Sequence, residues 1–329
     1  MQAIVYDRFG GPEVLRLEAR PEPRIGDDEM LVAVHATSVT TADWRFRAAA
    51  FPAGMRLLGR MIVGFRRPRN RLTGREFSGR VVKVGARVTR FAPGDEIFGV
   101  NPRGVNAETI AVPENAVVVR KPEGLSHAEA ASLPFGALTA LSFLRDLAPI
   151  RAGERVLVLG ASGGVGAYVV QVAAHLGAEV TASCSTANLA LVRSLGAHHV
   201  VDYTQEDWTT SGATYDVILD VIGKSTFARA RSRLAPAGRH VFIEGGVREI
   251  WQSFVTRFRR GPRVVFGIAT ESVAALERLR TWVETGALRP VVGHRFPMTE
   301  VVAAHRVVDE RRRRGAVILD WPPAVPRPS

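Results

Sequence analysis

The chain has 329 residues, 46% hydrophobic and 23% charged, with a formal net charge of +12. That length exceeds most single domains, so two are expected, each with ample apolar material for a core. A lone cysteine, Cys184, excludes a disulfide framework or a multi-cysteine zinc cluster, and no apolar run is long enough to span a bilayer.

The N-terminus lacks a signal-peptide pattern, and a reducing cytoplasm is the expected location. The charge excess is arginine, since only residues 83, 121 and 224 of the 44 basic residues are lysine. Three arginine clusters, at 66–71, 257–263 and 311–314, lie in no recognisable nucleic-acid module and read as solvated surface, so no nucleic-acid partner is expected. A basic face of this kind could also meet an anionic membrane. The second cluster sits beside Trp251, Phe254, Val255 and Phe258, a spacing that suits an interfacial helix or a packed helix with a basic outer face.

In chain order, residues 1 to 120 are rich in short strands: 3–6, 14–17, 30–35, 79–84 and 96–100, with Gly and Pro turns at 9–12, 85 and 92–95. The apolar insertion 55–65 reads either as a lid favouring a bulky apolar substrate or as a loop packed on the strands. From Ser126, an N-cap candidate, the pattern is helical through Leu144. Strand–helix units follow from Arg155, with strands at 179–184, 215–220, 239–243 and 264–267. An amphipathic helix at 272–285 and a strand–helix–strand tail at 290–319 complete the chain. Alternation of this kind gives an α/β class with a parallel sheet.

The run 156–166 (VLVLGASGGVG) is the most informative segment. A buried strand leads into a glycine turn and then a helix, the context in which a Gly-x-Gly-x-x-Gly pattern binds a dinucleotide. Here it reads Ala161-x-Gly163-x-x-Gly166, with Ser162, Gly164 and Val165 between. Gly163 would let the backbone approach a pyrophosphate, and Gly166 would let helix and strand pack closely. The free N–H groups at the helix start would face the phosphate charge. The alternative is a purely structural strand-to-helix turn.

The next strand ends in Ser183, Cys184, Ser185, Thr186 and Asn188, with no acidic residue from 183 to 188. NAD-preferring enzymes place a carboxylate here for the ribose 2′-hydroxyl. Hydroxyls and an amide can instead donate to a 2′-phosphate, so Ser183, Ser185, Thr186 and Asn188 favour NADP(H). Ser185 also reads as an ordinary cap of the following helix.

With these segments in view, the chain resembles the medium-chain dehydrogenase/reductase superfamily, in its zinc-free, quinone-oxidoreductase-like branch. The resemblance is carried by FGGPEVL at 9–15, SVTTAD at 38–43, GREFSG at 74–79, FAPGD at 91–95, LPFGALTA at 133–140, LGAHHVVDY at 195–203 and GAVIL at 315–319. It implies a GroES-like, partly open β-barrel domain (1–122 and 290–329), a doubly wound Rossmann domain (123–289), and an active site in the cleft between them. It also implies Thr139 against the nicotinamide, Val221 near the nicotinamide ribose, Gly245 by the cofactor amide, and Tyr203 at the adenine edge. A homodimer through edge strands near 264–267 follows from the resemblance as well.

Positions that carry zinc ligands in the alcohol dehydrogenases are Thr40, Arg75 and Phe135 here, none of them a zinc donor, so no metal is expected. Without zinc to lower an alcohol's pKa, the favoured chemistry is hydride addition to a quinone, enone or enal, with hydrogen-bond donors for the developing oxyanion. Thr40, Thr41 and Arg45 are the donor candidates, each also readable as part of a capped turn. The tyrosine found near substrate in many members of the branch is matched by Phe51. Two other readings stay open: an NADP-dependent carbonyl or alcohol dehydrogenase-type reductase, and a cofactor-binding protein acting through its basic surface.

Overall fold

A computed structural model describes residues 1–52 and 54–322. They form two compact units: Met1–Phe51, Arg56–Phe135 and the chain from Ser272 onward in the first, and Pro52–Met55 with Gly136–Glu271 in the second.

The first unit begins with the antiparallel pair β1 (Gln2–Val5) and β2 (Arg16–Ala19), followed by β3 (Glu29–Val39), α1 (Thr41–Ala48) and α2 (Arg56–Val63). Strands β4 (Glu76–Val84), β5 (Glu96–Val100), β6 (Thr109–Pro113) and β7 (Val117–Arg120) then precede the short helix α3 (His127–Ala131). The expected strand at 14–17 begins later, because Pro12 starts a single 3₁₀ turn through Val14. Ser126 caps α3 in a capping box with Glu129. The helical stretch expected through Leu144 is interrupted after Ala131, and α4 (Pro134–Leu141) starts at Pro134, whose missing N–H is tolerated only in a first turn.

The second unit continues with a π-helical turn at Ser142–Leu147. It then contains β8 (Arg155–Leu159), α5 (Gly166–His175), β9 (Glu179–Cys184), α6 (Leu189–Ser194), β10 (His199–Asp202), β11 (Tyr215–Asp220), α7 (Phe227–Ala230), β12 (Leu234–Phe242), α8 (Val247–Arg257) and β13 (Arg263–Phe266). The chain returns to the first unit with α9 (Val273–Glu284), β14 (Val292–Pro297), α10 (Val301–Asp309) and β15 (Ala316–Asp320). Helix α3 packs on β3 and β4, and α9 on β7, so both belong with the first unit.

In the first unit the strand order is β14-β15-β3-β4-β5-β7. One half of β3 pairs with β6 (Val32 opposite Ile110) and the other half with β15 (Ser38 opposite Ile318), while β4 lies along its other side. Sharing one long strand among three partners curls the sheet into a partly open barrel around Ile4, Val32, Phe77, Ile97, Val118 and Leu319. Arg47 of α1 is almost fully buried in this unit, and its Nη2 donates to both carboxylate oxygens of Asp309 at 2.7 Å. Four residues before Asp309 on α10, His305 is wholly enclosed and neither ring nitrogen has a hydrogen-bond partner among the described residues. Burial, reinforced by the Arg47 charge, pushes its pKa down to about 3.

All six strands of the second unit are parallel, in the order β10-β9-β8-β11-β12-β13. Strand order reverses between β8 and β11, the switch point at which a doubly wound sheet binds its ligand. On β12, His240 is fully buried, its ring tilted against that of Phe242 with centroids 4.1 Å apart and bonded through Nε2 to Ser225 Oγ at 2.9 Å. Burial pushes its pKa down to about 4.

Candidate active site

The glycine turn leaves β8 at the switch point. Gly160 adopts φ +83°, a left-handed conformation that a side chain disfavours, and its N–H and that of Ala161 both donate to Ser183 O on β9. At Gly166 a Cβ would fall 2.1 Å from Gly160 O, so only glycine lets α5 sit against the end of β8. Gly163 is different: the nearest protein atom to its Cβ position is 3.6 Å away, leaving its outer side open. Among the described residues, the N–H groups of Gly164, Val165 and Gly166 have no acceptor in the protein. Three donors at the positive end of α5 beside an open glycine form an anion-binding cradle.

The edges of this cradle come from neighbouring strand ends. Ser183 is buried beside the turn, Ser185 and Asn188 bond to each other at 3.1 Å, and Thr186 is exposed. Burial pushes the Cys184 thiol up to about 11, so it stays a protonated packing residue. Tyr203, 57% exposed, follows β10 and donates its N–H to Cys184 O, which sets its ring at the outer end of β9. Sequence reasoning missed a carboxylate here. Asp202 pairs in register with Cys184 and accepts from the hydroxyls of Thr186 and Thr204. Those hydrogen bonds hold its pKa below the usual carboxylate range. The signal was an acid in the strand beside β9, outside the window where the fingerprint acid is sought.

After β11 the buried Asp220 gathers the following loop: Oδ1 accepts from the N–H groups of Ile222, Gly223 and Lys224, and Oδ2 from Ser225 at 2.6 Å. This fixes Val221, whose N–H donates to Leu159 O. Gly245 lies against the Phe266 ring, where a Cβ would come within 2.8 Å. Thr139 on α4 is nearly buried, and its hydroxyl has no partner among the described residues.

In the first unit, Thr40 caps α1. Its hydroxyl donates to Asp43 Oδ2 at 2.7 Å and accepts from the Asp43 N–H, so its proton is already used. Burial raises the Asp43 carboxyl, opposed by the Thr40 hydrogen bonds and the charges of Arg75 and Arg313. Thr41 is held differently, because its hydroxyl accepts from Arg313 Nη2 at 3.0 Å and keeps its own proton. Arg45 lies one turn further along α1. Arg313 had read as surface, being one of four consecutive arginines, but it turns inward, and burial pulls its pKa down to about 10. A cavity of about 310 Å³ beside this cluster is lined by Tyr6, Asp43, Phe46, Arg75 and, from α2, Ile62 and Val63. The Phe51 ring packs under α2 against Gly59, whose missing Cβ would fall 2.2 Å from it.

The comparisons agree with this geometry. Residues 26–123 match the family model for an alcohol dehydrogenase GroES-like domain, and 195–319 the model for a zinc-binding dehydrogenase. The donor set does not fit zinc: Thr40, Arg75 and Phe135 cannot ligate it, and no three of His, Cys, Asp or Glu gather as a metal site among the described residues. The chain is 33% identical to NAD(P)H oxidoreductase RTN4IP1, mitochondrial, of Homo sapiens, across 97% of this chain and 89% of that protein. It is 32% identical to the NADPH-dependent alkenal/one oxidoreductase, chloroplastic, of Arabidopsis thaliana, across 97% of this chain and 79% of that protein. The quinone oxidoreductase structure from Coxiella burnetii superposes with a TM-score of 0.84 at 28% identity, covering 97% of this chain and 99% of that one. A parallel sheet with an open glycine turn at its switch point, an antiparallel GroES-like unit and full-length relatives of this identity place the chain in the medium-chain dehydrogenase/reductase superfamily, as an NAD(P)H-dependent reductase of the quinone-oxidoreductase-like branch.

Proposed function

We propose that the protein uses NADPH to reduce a quinone or an α,β-unsaturated carbonyl compound. The observation that carries this reading is the open, donor-rich turn at Gly163–Gly166, combined with a donor cluster in which no three metal-ligating side chains gather among the described residues. Gly164, Val165 and Gly166 would hold the pyrophosphate, Tyr203 the adenine edge, and Thr139, Val221 and Gly245 the nicotinamide end. Ser183, Ser185, Thr186 and Asn188 would face the 2′-phosphate. When bound, reduced nicotinamide supplies a hydride to an electron-poor carbon. Thr41, oriented by Arg313, donates its proton as a hydrogen bond to the acceptor oxygen on which charge builds, and Arg45 adds positive charge. Thr40 and Asp43 hold the α1 terminus that carries these groups.

Loss of nicotinamide absorbance with a panel of quinones and enones tests the reading, and the product decides its class: saturated ketone supports it, alcohol favours a carbonyl reductase. Tight cofactor binding with no acceptor reduced would leave a binding protein instead. Arg313→Leu is expected to lower kcat/KM by about 10- to 100-fold with NADPH affinity unchanged, the cost of one lost oxyanion contact. Asp202→Asn is expected to widen the preference for NADPH over NADH by about tenfold, since a like charge beside the 2′-phosphate disappears. Initial rates with both coenzymes read this directly, and an unchanged ratio would remove Asp202 from the site. The position of β13 as the last strand of its sheet supports a homodimer, which sedimentation velocity at two concentrations checks.

A further inference from the structure

Helix α8 carries an apolar row that the described residues leave largely uncovered. Val247, Ile250, Trp251, Phe254 and Phe258 recur at helical spacing, and Trp251, Phe254 and Phe258 are 63%, 65% and 75% exposed. Phe254 and Phe258 touch edge to face at 5.3 Å, so the row is a continuous ridge. Arg257, Arg259, Arg260 and Arg263 follow it, all exposed, and no acidic residue occurs between Glu249 and Glu271. Of α8, only Glu249 and Thr256 are buried, so the helix that could have been packed with a basic outer face instead exposes its apolar side.

Within its own unit, α2 repeats the pattern. Leu57, Leu58, Met61 and Ile62, with Phe65 just beyond, are exposed, and nine arginines but no acid lie between Asp43 and Glu76. Ten of the fourteen exposed large hydrophobic residues among the described residues belong to these two stretches, which makes them patches rather than scattered surface contacts.

We propose that α8, with its arginine-rich C-terminal turn, docks the protein on an anionic lipid bilayer surface, with α2 as a second contact of the same kind. The charge pattern selects this occupant. A second copy seated on the α8 ridge itself, as opposed to one paired through β13, would set arginines against arginines with no carboxylate to pair them. A nucleic acid would meet the charges but offer no apolar volume for Val247 and Ile250. A bilayer interface takes both, with the apolar ridge at the acyl boundary and the guanidinium groups among lipid phosphates.

The test uses the full chain and sedimentation with vesicles of phosphatidylcholine alone or mixed with phosphatidylglycerol. Binding to the mixed vesicles only, weakened by salt and accompanied by a blue shift of tryptophan emission, is expected. Arg257→Gln/Arg259→Gln/Arg260→Gln should weaken it about a hundredfold, at roughly 1 kcal/mol per arginine near a charged surface. Trp251→Ser/Phe254→Ser/Phe258→Ser should abolish the emission shift, and both variants should keep the parent's NADPH affinity. The proposal is overturned by failure to bind charged vesicles, by equal binding to neutral ones, by variants that bind like the parent, or by a chain whose self-association the serine variant dissolves.

Discussion

Gly166→Ala is expected to separate helix from strand at the heart of the second unit and leave little cofactor binding. The added methyl would lie 2.1 Å from Gly160 O and 2.9 Å from Ala161 Cα, and both are backbone atoms that cannot swing aside. Overpacking of this kind costs about 1–3 kcal/mol or more, which lowers Tm by several degrees. Because α5 carries the N–H donors, its displacement should weaken NADPH by about a hundredfold or more, an oxyanion-type donor set being worth that much when misaligned. Gly163→Ala is the matched contrast. Its methyl meets nothing within 3.6 Å and its φ is negative, so Tm should hold while the NADPH Kd rises about tenfold, as the methyl intrudes where the pyrophosphate approaches. Calorimetry and fluorescence titration of both variants separate the two roles. Equal effects on stability would mean that the turn is structural alone.

Asp309→Asn is expected to cost about 3–5 kcal/mol, the penalty of leaving a buried charge uncompensated. Arg47 is 1% exposed, and Asp309 is the acceptor of its Nη2, while Nε and Nη1 have no hydrogen-bond partner among the described residues. Nearby His305 cannot replace the carboxylate, because its depressed pKa keeps it neutral and a protonated ring would repel Arg47. Urea unfolding measures the loss, with Tm lower by about 10 °C. The double variant Arg47→Met/Asp309→Leu should recover most of it, since a buried pair replaced by apolar groups is often neutral. A single variant within 1 kcal/mol of the parent would show that water reaches the pair and screens it.

How much of this was legible in the sequence depended on whether the signal was local. The strand–glycine–helix run at 156–166 could be read because turn, strand and helix chemistry all lie within a few residues. So could the capping of α3 by Ser126 and the extents of β5, β9 and β11. Strands β6 and β7 were not singled out: β6 is specified by pairing with β3, which is some eighty residues distant in the chain, and that partner cannot be read from either segment alone. Arg313 and Asp202 were missed for a related reason. One belongs to a basic run that looks solvated, and the other reaches the cradle only through register with β9. Tertiary placement, rather than residue type, brings each of them beside the residues proposed for the site.

The two enclosed imidazoles of His240 and His305 set an acid limit on the fold. Each is neutral when folded but takes up a proton near its ordinary value of 6.5 once the chain opens, so the unfolded state binds more protons below that pH. Stability therefore rises with pH through this range and falls in acid, from about pH 6.5 down to about 4 for His240 and about 3 for His305. Together they contribute up to about 3 kcal/mol per pH unit across the shared window. Acidification should thus destabilise both units through two side chains that take no part in the reduction chemistry.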